Sequence, residues 1–392
     1  MKIACIGNMN NGLSPLRRYL IDAGYDVDLF VLPQEPQHFA PEADSFEIEA
    51  DQYKKLDWYY ENLLTYPRHR LRNILEPYTY IISQGISPAY IYRAGRTIDL
   101  FIPYGGDMYR LPHFSRIKVK NNLKSNIKRY ALARSQAKGI KEAKYILMEE
   151  TNDFYESFLT RLRPKGHRIR MAPPLIYVKQ YENYLEQYNG KSNYYNKFLS
   201  IRDRSTFVIF HHARQMWKDI PDITYSKANN YLIEAFARFV ELYPDSVLIM
   251  FEYGNDILNS KELVKTLKIE NNVFWMPLMP RREIMIGISL SDLVIGELAH
   301  SYFSYGIVHE ALAAGKPLMH KRIDDLYTHS YPEQYPMLYA DSVESVYQGL
   351  LWAYNNKHEV VDMGIKGRDW LNKYVINGSV SKILTLLSEC ES

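Results

Sequence analysis

Two cysteines in 392 residues, Cys5 and Cys390, leave no disulfide framework and no zinc-ligand spacing. No apolar run approaches the roughly 18 residues of a spanning helix. The run Met1–Ile6 also meets Gly7 and polar residues too soon to be the core of a secretion signal. These absences make a reducing, cytoplasmic compartment the expectation. Neither sign of charge dominates: 48 Lys and Arg against 45 Asp and Glu give +3, too little for wholesale nucleic-acid binding. Low-complexity tracts and internal repeats are missing too. What is present, 46% hydrophobic and 24% charged residues, suffices for sizeable cores, and the length suits two domains at roughly 150 residues or more each. The 34 tyrosines are numerous but carry no functional weight by themselves.

Strands and helices alternate along the chain. Lys2–Ile6 reads as a strand, Gly7–Gly12 as a Gly/Asn-rich turn, Leu13–Ala23 as a helix and Val27–Leu32 as a strand, together one βαβ unit. Asp99–Ile102, Tyr145–Met148 and Arg168–Met171 are further strand candidates. In the second half Phe207–Phe210, Val247–Phe251, Val273–Met276 and Leu293–Ile295 are apolar throughout, with helices expected over 228–243, 259–267 and 281–289. Strands apolar on both faces suit a parallel sheet covered by helices on both sides. Pro173-Pro174 and the polar, Tyr-rich stretch to Asn196 read as a linker. The expectation is therefore an α/β protein of two Rossmann-like, doubly wound domains, 1–175 and 176–392, facing a central cleft.

In such sheets ligands bind beyond the carboxyl ends of the strands. His211-His-Ala-Arg-Gln215 follows one strand, with Lys218 and Lys227 further on. A guanidinium and an ammonium fixed there can hold a diphosphate, the Arg by a bidentate fork and the Lys as a compact charge; the plainer reading is solvated loop cations. Ser304-Tyr-Gly-Ile-Val-His-Glu-Ala-Leu-Ala-Ala-Gly-Lys-Pro317 follows another strand. Gly306 lets backbone approach a ligand, residues 307–314 read as a helix with anion-facing amides, and Glu310 can accept hydrogen bonds from two ribose hydroxyls. Gly315 caps that helix and Pro317 leads into the strand Leu318-Met319.

Arg214, Lys227-Ala-Asn-Asn followed by Leu232-Ile-Glu-Ala-Phe-Ala237, and the Tyr305-to-Pro317 segment together resemble the donor domain of GT-B glycosyltransferases, most nearly the family-4 retaining type. The resemblance spans about residues 205–320 and reaches the first domain only by plan. It implies a nucleoside-diphosphate sugar as substrate, its diphosphate held by Arg214 and Lys227 or Lys218 and its ribose by Glu310; backbone amides at residues 304–307, among them Tyr305, Gly306 and Ile307, could meet the sugar. It implies no cofactor and no metal. The pattern's second carboxylate, eight residues before Glu310, is here Tyr302; the nearest upstream acid is Glu297, a catalytic candidate.

In the first domain, Asn11 and Gly12 lie in a turn that could approach phosphate or acceptor. Pro103-Tyr-Gly-Gly-Asp107 resembles the family's strand-end His-Gly-(Ser/Gly)-Asp loop, which makes Asp107 a second catalytic candidate, or a simple turn cap. Between Asp107 and Glu142 there is no acid, but ten cations: Arg110, Arg116, Lys118, Lys120, Lys124, Lys128, Arg129, Arg134, Lys138 and Lys141. With Leu123, Ile127, Tyr130 and Leu132 interspersed, residues 110–141 can lie on an anionic membrane surface, placing the protein peripherally on the inner face of the cell membrane, or can face a lipid-linked pyrophosphate. A solvated face is the simplest alternative, and no nucleic-acid motif accompanies the charge. The sequence thus reads as a transferase acting on a glycan or lipid-linked acceptor in bacterial surface polysaccharide or glycoconjugate synthesis. A nucleotide-sugar 2-epimerase of the same architecture and a non-catalytic binding protein are the rivals.

Overall fold

The computed structural model describes residues 1–113, 123–149, 153–220, 225–301 and 306–390. It divides into two compact units, Met1–Tyr177 with Val375–Ser392, and Val178–Tyr374.

The first unit is built on a seven-stranded sheet in the order β3-β2-β1-β4-β5-β6-β7. Its strands are β1 (Lys2–Ile6), β2 (Asp26–Val31), β3 (Lys54–Lys55), β4 (Tyr80–Ser83), β5 (Leu100–Phe101), β6 (Tyr145–Leu147) and β7 (His167–Ile169), every adjacent pair parallel. Ile3 and Cys5 enter one hydrophobic core and Ala4 and Ile6 another, so the alternating side chains of β1 serve both faces of the sheet. The edge strand β3 is two exposed lysines, which discourages pairing with another chain. Helices α1 (Ser14–Asp22), α2 (Ser87–Ala94) and α3 (Leu123–Lys141) belong to this unit.

The second unit carries β8 (Phe207–His211), β9 (Ser246–Glu252), β10 (Val273–Pro277), β11 (Leu293–Ile295), β12 (Leu318–His320) and β13 (Leu338–Tyr339), a parallel sheet in the order β10-β9-β8-β11-β12-β13. Helix α4 (Asn229–Leu242) buries Leu232, Ile233, Phe236, Phe239 and Val240, the stripe its spacing predicts. Helices α5 (Arg281–Ser289) and α6 (Gly306–Ala313) flank the site. Strand order reverses between β1 and β4 and again between β8 and β11, the places where open α/β sheets bind ligands.

Two expectations need correction. The stretch to Asn196 is no linker: it carries a helix at Tyr184–Tyr188 in the second unit, and Tyr181, Tyr184 and Tyr188 are buried. Tyrosine looks polar in a sequence scan but buries its ring and ties its hydroxyl, as Tyr184 does to the Arg282 carbonyl at 2.9 Å. The second correction is at the C-terminus, where α7 (Gly378–Glu389) returns to the first unit; Ile383, Leu386 and Leu387 enter the core shared by Ile3, Cys5 and Leu100. Amphipathic spacing reveals that a helix buries a face, not which sheet receives it.

Candidate functional site

At the carboxyl end of β8, His211 is fully buried and its ring bridges two elements. Nδ1 donates to the Ile295 carbonyl of β11 at 2.9 Å, which leaves Nε2 to accept from Asn229 Nδ2 of α4, also at 2.9 Å. Burial holds the ring neutral, with its pKa pushed down to about 4. Asn229 Oδ1 in turn accepts from the Met216 amide. The loop after β8 is fixed from the other side by Asp256, whose carboxylate accepts the amides of Trp217, Lys218 and Asp219 at 2.7, 3.0 and 3.0 Å. Gly254 makes this approach feasible: its φ is +119°, and a Cβ there would stand 2.5 Å from the Gln215 carbonyl oxygen. Gly254→Ala is expected to cost about 2–3 kcal/mol and lower Tm by about 5–10 °C, measurable by calorimetry.

Glu310, one turn into α6, is 4% exposed. Arg281 Nε, from the start of α5, donates to its Oε1 at 2.7 Å, and His212 Nε2 lies 2.8 Å from its Oε2. Burial alone would raise the carboxyl's pKa, but attraction to His212 and Arg281 outweighs it and brings it down to about 2. Glu310 is therefore a fixed carboxylate whose remaining lone pairs can accept hydroxyls. A Cβ on Gly306 would stand 3.5 Å from its Oε1, an ordinary contact distance, so the space there does not demand glycine. His309 beside it is neutral, pushed down to about 4 by burial first and by Arg281 second.

Lys227 and Glu297 form a second buried ion pair, Nζ to Oε1, which joins the approach to α4 with the loop after β11. Ala228, between Lys227 and α4, has φ +51°, a left-handed conformation that costs a non-glycine residue energy.

Of the residues expected to act together, Lys227 and Glu297 pair with each other beside the end of β11, and Glu310 lies against His212, just past the end of β8. Ile307 is buried in the first turn of α6, which begins at Gly306. Arg214 is exposed on the loop, its guanidinium 6.0 Å from the Tyr253 ring, and Lys218 is exposed with its ammonium 3.4 Å from Asn259 Oδ1. Of the two lysines, Lys227 is thus the buried one. Tyr305 and Tyr302 lie outside the described residues. Arg281 and His212 were missed: Arg281 opens an ordinary-looking helix 29 residues from its partner, and only the doubled histidine after a strand could have flagged His212.

In the first unit, Asn8 Oδ1 caps α1 by accepting the Leu13 and Ser14 amides. Asn11 is buried with φ +54°, and a Cβ on Gly12 would meet Gln84 Nε2 at 2.6 Å. Asn11 Oδ1 and Gln84 Oε1 are buried acceptors without a hydrogen-bond partner among the described residues. Asp107 is wholly buried and accepts the amides of Gly85, Tyr104 and Gly105 at 3.0, 3.1 and 3.1 Å, tying its own turn to the end of β4. These three bonds are the ones a turn-capping carboxylate makes.

Glu35, which accepts the amides of Asn8 and Leu32 in the same unit, resembles Asp107 in that burial pushes its carboxyl up to about 7, against the amide hydrogen bonds that pull both down. Unfolded, both ionise near pH 4, so as pH rises from about 4 to 7 the unfolded state releases protons that the folded state keeps. Their contribution favours folding at low pH and is lost by about pH 7, at about 1.4 kcal/mol per group per pH unit. Denaturation at several pH values should show Asp107→Asn with the shallower slope; an unchanged slope would remove Asp107 from this account.

Among the described residues no His/Cys/Asp/Glu cluster is placed to hold a metal ion, and no helix is long and apolar enough to cross a membrane. No protein-family model matches the sequence, and no curated protein is similar to it by sequence. Solved structures share its architecture. Anabaena Alr3699/HepE, in complex with UDP and glucose, superimposes with a TM-score of 0.62 at 13% identity, covering 99% of this chain and 100% of its own. Sucrose-phosphate synthase from Thermosynechococcus elongatus gives 0.60 at 12% identity, covering 99% and 98%. UDP-GlcNAc 2-epimerase from Neisseria meningitidis, bound to UDP-GlcNAc, gives 0.60 at 15%, covering 99% and 100%. The fold is GT-B. Two Rossmann-like units on parallel sheets, as expected from the sequence, make this a GT-B protein by architecture.

Proposed function

We propose that this chain is a glycosyltransferase that takes a sugar from a nucleoside-diphosphate sugar held by the second unit. The observation that carries the reading is Glu310, a buried carboxylate kept ionised beside the β8–β11 switch point. Ribose hydroxyls donate to Glu310, and the diphosphate is met by Lys227 and, from the loop, Arg214. As the glycosidic bond breaks, negative charge grows on the leaving diphosphate, and fixed cations and α6 amides stabilise it without reorganisation. No covalent nucleophile is assigned; retention by front-face attack is what the family-4 resemblance implies. Glu297 and Asp107 remain the candidate catalytic carboxylates, Glu297 through its pairing with Lys227. A glycan or lipid-linked acceptor belongs to the first unit, where a cavity of about 370 Å³ beside the ends of β2 and β3 offers Tyr59 for stacking and Glu42 and Lys55 for hydroxyls. Bacterial surface polysaccharide or glycoconjugate synthesis is the setting we propose.

The 2-epimerase reading is kept because an epimerase superimposes as well as the transferases do. Incubation with UDP- and GDP-sugars, with and without lipid-linked acceptors, separates the two. Nucleoside diphosphate released only with acceptor supports transfer. A donor epimerised at C2 with no acceptor supports the epimerase, and binding of no sugar nucleotide leaves the non-catalytic reading.

A further inference from the structure

We propose that the outer face of α3 (Leu123–Lys141) is a docking surface for an anionic lipid bilayer. This goes beyond the sugar-nucleotide reading and stands on observations in the first unit alone. The inner face of α3 is pinned: Leu132, Ala133, Gln136, Gly139 and Ile140 are buried, and a Cβ on Gly139 would strike the Pro88 carbonyl oxygen of α2 at 2.3 Å. Gln136 locks the helix further by donating to the carbonyls of Gly85 and Asp107 and accepting from the Ala89 amide.

With that face fixed, the opposite one is presented rigidly. Leu123, Ile127 and Tyr130, at i, i+4 and i+7, are 77%, 52% and 50% exposed and form an apolar stripe along the helix. Leu132, from the same run of sequence, instead points into the core. The stripe continues into cations: Arg134 Nη1 donates to the Tyr130 hydroxyl at 3.2 Å, and the Lys138 ammonium stands 5.3 Å from the ring of Tyr92, carrying the patch onto α2. By helical position Lys124 and Lys141 border the same face. The helix contains no acid, and the first one after it, Glu142, is bridged by Lys165 at 2.7 Å.

Charge of one sign around exposed leucine, isoleucine and tyrosine fits an anionic leaflet. The apolar side chains enter the acyl boundary, tyrosines sit at headgroup level, and the cations meet lipid phosphates. A nucleic-acid backbone would use the cations but give Leu123 and Ile127 nothing to enter.

The test is vesicle co-sedimentation of the full chain with phosphatidylcholine alone and with added phosphatidylglycerol. Binding is expected only with the anionic lipid and should weaken as salt rises. Lys124→Gln/Arg134→Gln removes two exposed charges and should cut binding about 25-fold, at about fivefold per charge. Ile127→Ser/Tyr130→Ser should cut it as well, with circular dichroism and Tm of both variants unchanged. Equal binding to neutral vesicles, no binding, insensitivity to both variants, or binding to an RNA oligonucleotide in preference to vesicles would each overturn the proposal.

Discussion

Glu310→Ala is expected to cost about 3–5 kcal/mol of stability and to abolish detectable UDP binding. The first effect follows from Arg281, which is 6% exposed and would keep its charge with its partner carboxylate gone. A loss of binding in that variant alone would be ambiguous, because a loosened α6 binds nothing. The informative protein is Glu310→Gln/Arg281→Met, which removes both charges. A buried ion pair replaced by neutral groups of similar volume often leaves stability nearly intact. Folding should therefore recover to within about 1–2 kcal/mol of the parent. UDP affinity should not recover. A charged acceptor for a hydroxyl contributes about 1.5–3 kcal/mol, or about 10- to 150-fold in affinity. Titration calorimetry with UDP and UDP-glucose reads this directly, and a folded double variant with parental affinity would sink the ribose role of Glu310.

Much of the fold was legible because central parallel strands are apolar on both faces and therefore stand out as short continuous runs. Lys2–Ile6, Phe207–His211 and Leu293–Ile295 are such strands, and α5 spans the residues its spacing predicts. What escaped was short or depended on partners. Tyr80–Ser83 was overlooked although it sits beside β1 at the switch point, because four residues between polar neighbours make no periodic signal. Lys54–Lys55 is a strand only because β2 pairs with it.

The site was legible where local chemistry announces itself and opaque where it is assembled across the sheet. Glu310 and Gly306 sit in one contiguous segment, so their proximity is a matter of helical geometry. Lys227 and Glu297 are 70 residues apart, and nothing in either segment says that they pair. Arg281 and Asp256 are likewise ordinary in sequence; each becomes informative only through the buried charge or the row of backbone amides it faces.

That Lys227–Glu297 pair allows the diphosphate role to be tested apart from folding. Lys227→Met leaves Glu297 buried without its ammonium, so stability should drop by about 3–5 kcal/mol and turnover of a nucleotide sugar by about 100- to 1,000-fold. Glu297→Gln should behave differently. It takes from the Lys227 ammonium its buried carboxylate partner, so the free protein is again destabilised, but a nucleoside diphosphate then supplies negative charge in its place. Because a ligand that binds only the folded state stabilises in proportion to its affinity, UDP should raise the Tm of Glu297→Gln by more than it raises the parent's. UMP, which lacks the second phosphate, should do so much less. If the UDP-induced shift in Glu297→Gln is no greater than in the parent, Lys227 does not face the diphosphate. The buried pair would then be a structural tie between the approach to α4 and the end of β11. Turnover distinguishes the remaining case: should Glu297→Gln bind UDP more tightly and yet fail to turn over the donor, the carboxylate itself acts on the transferred sugar and is not only a counter-ion awaiting displacement.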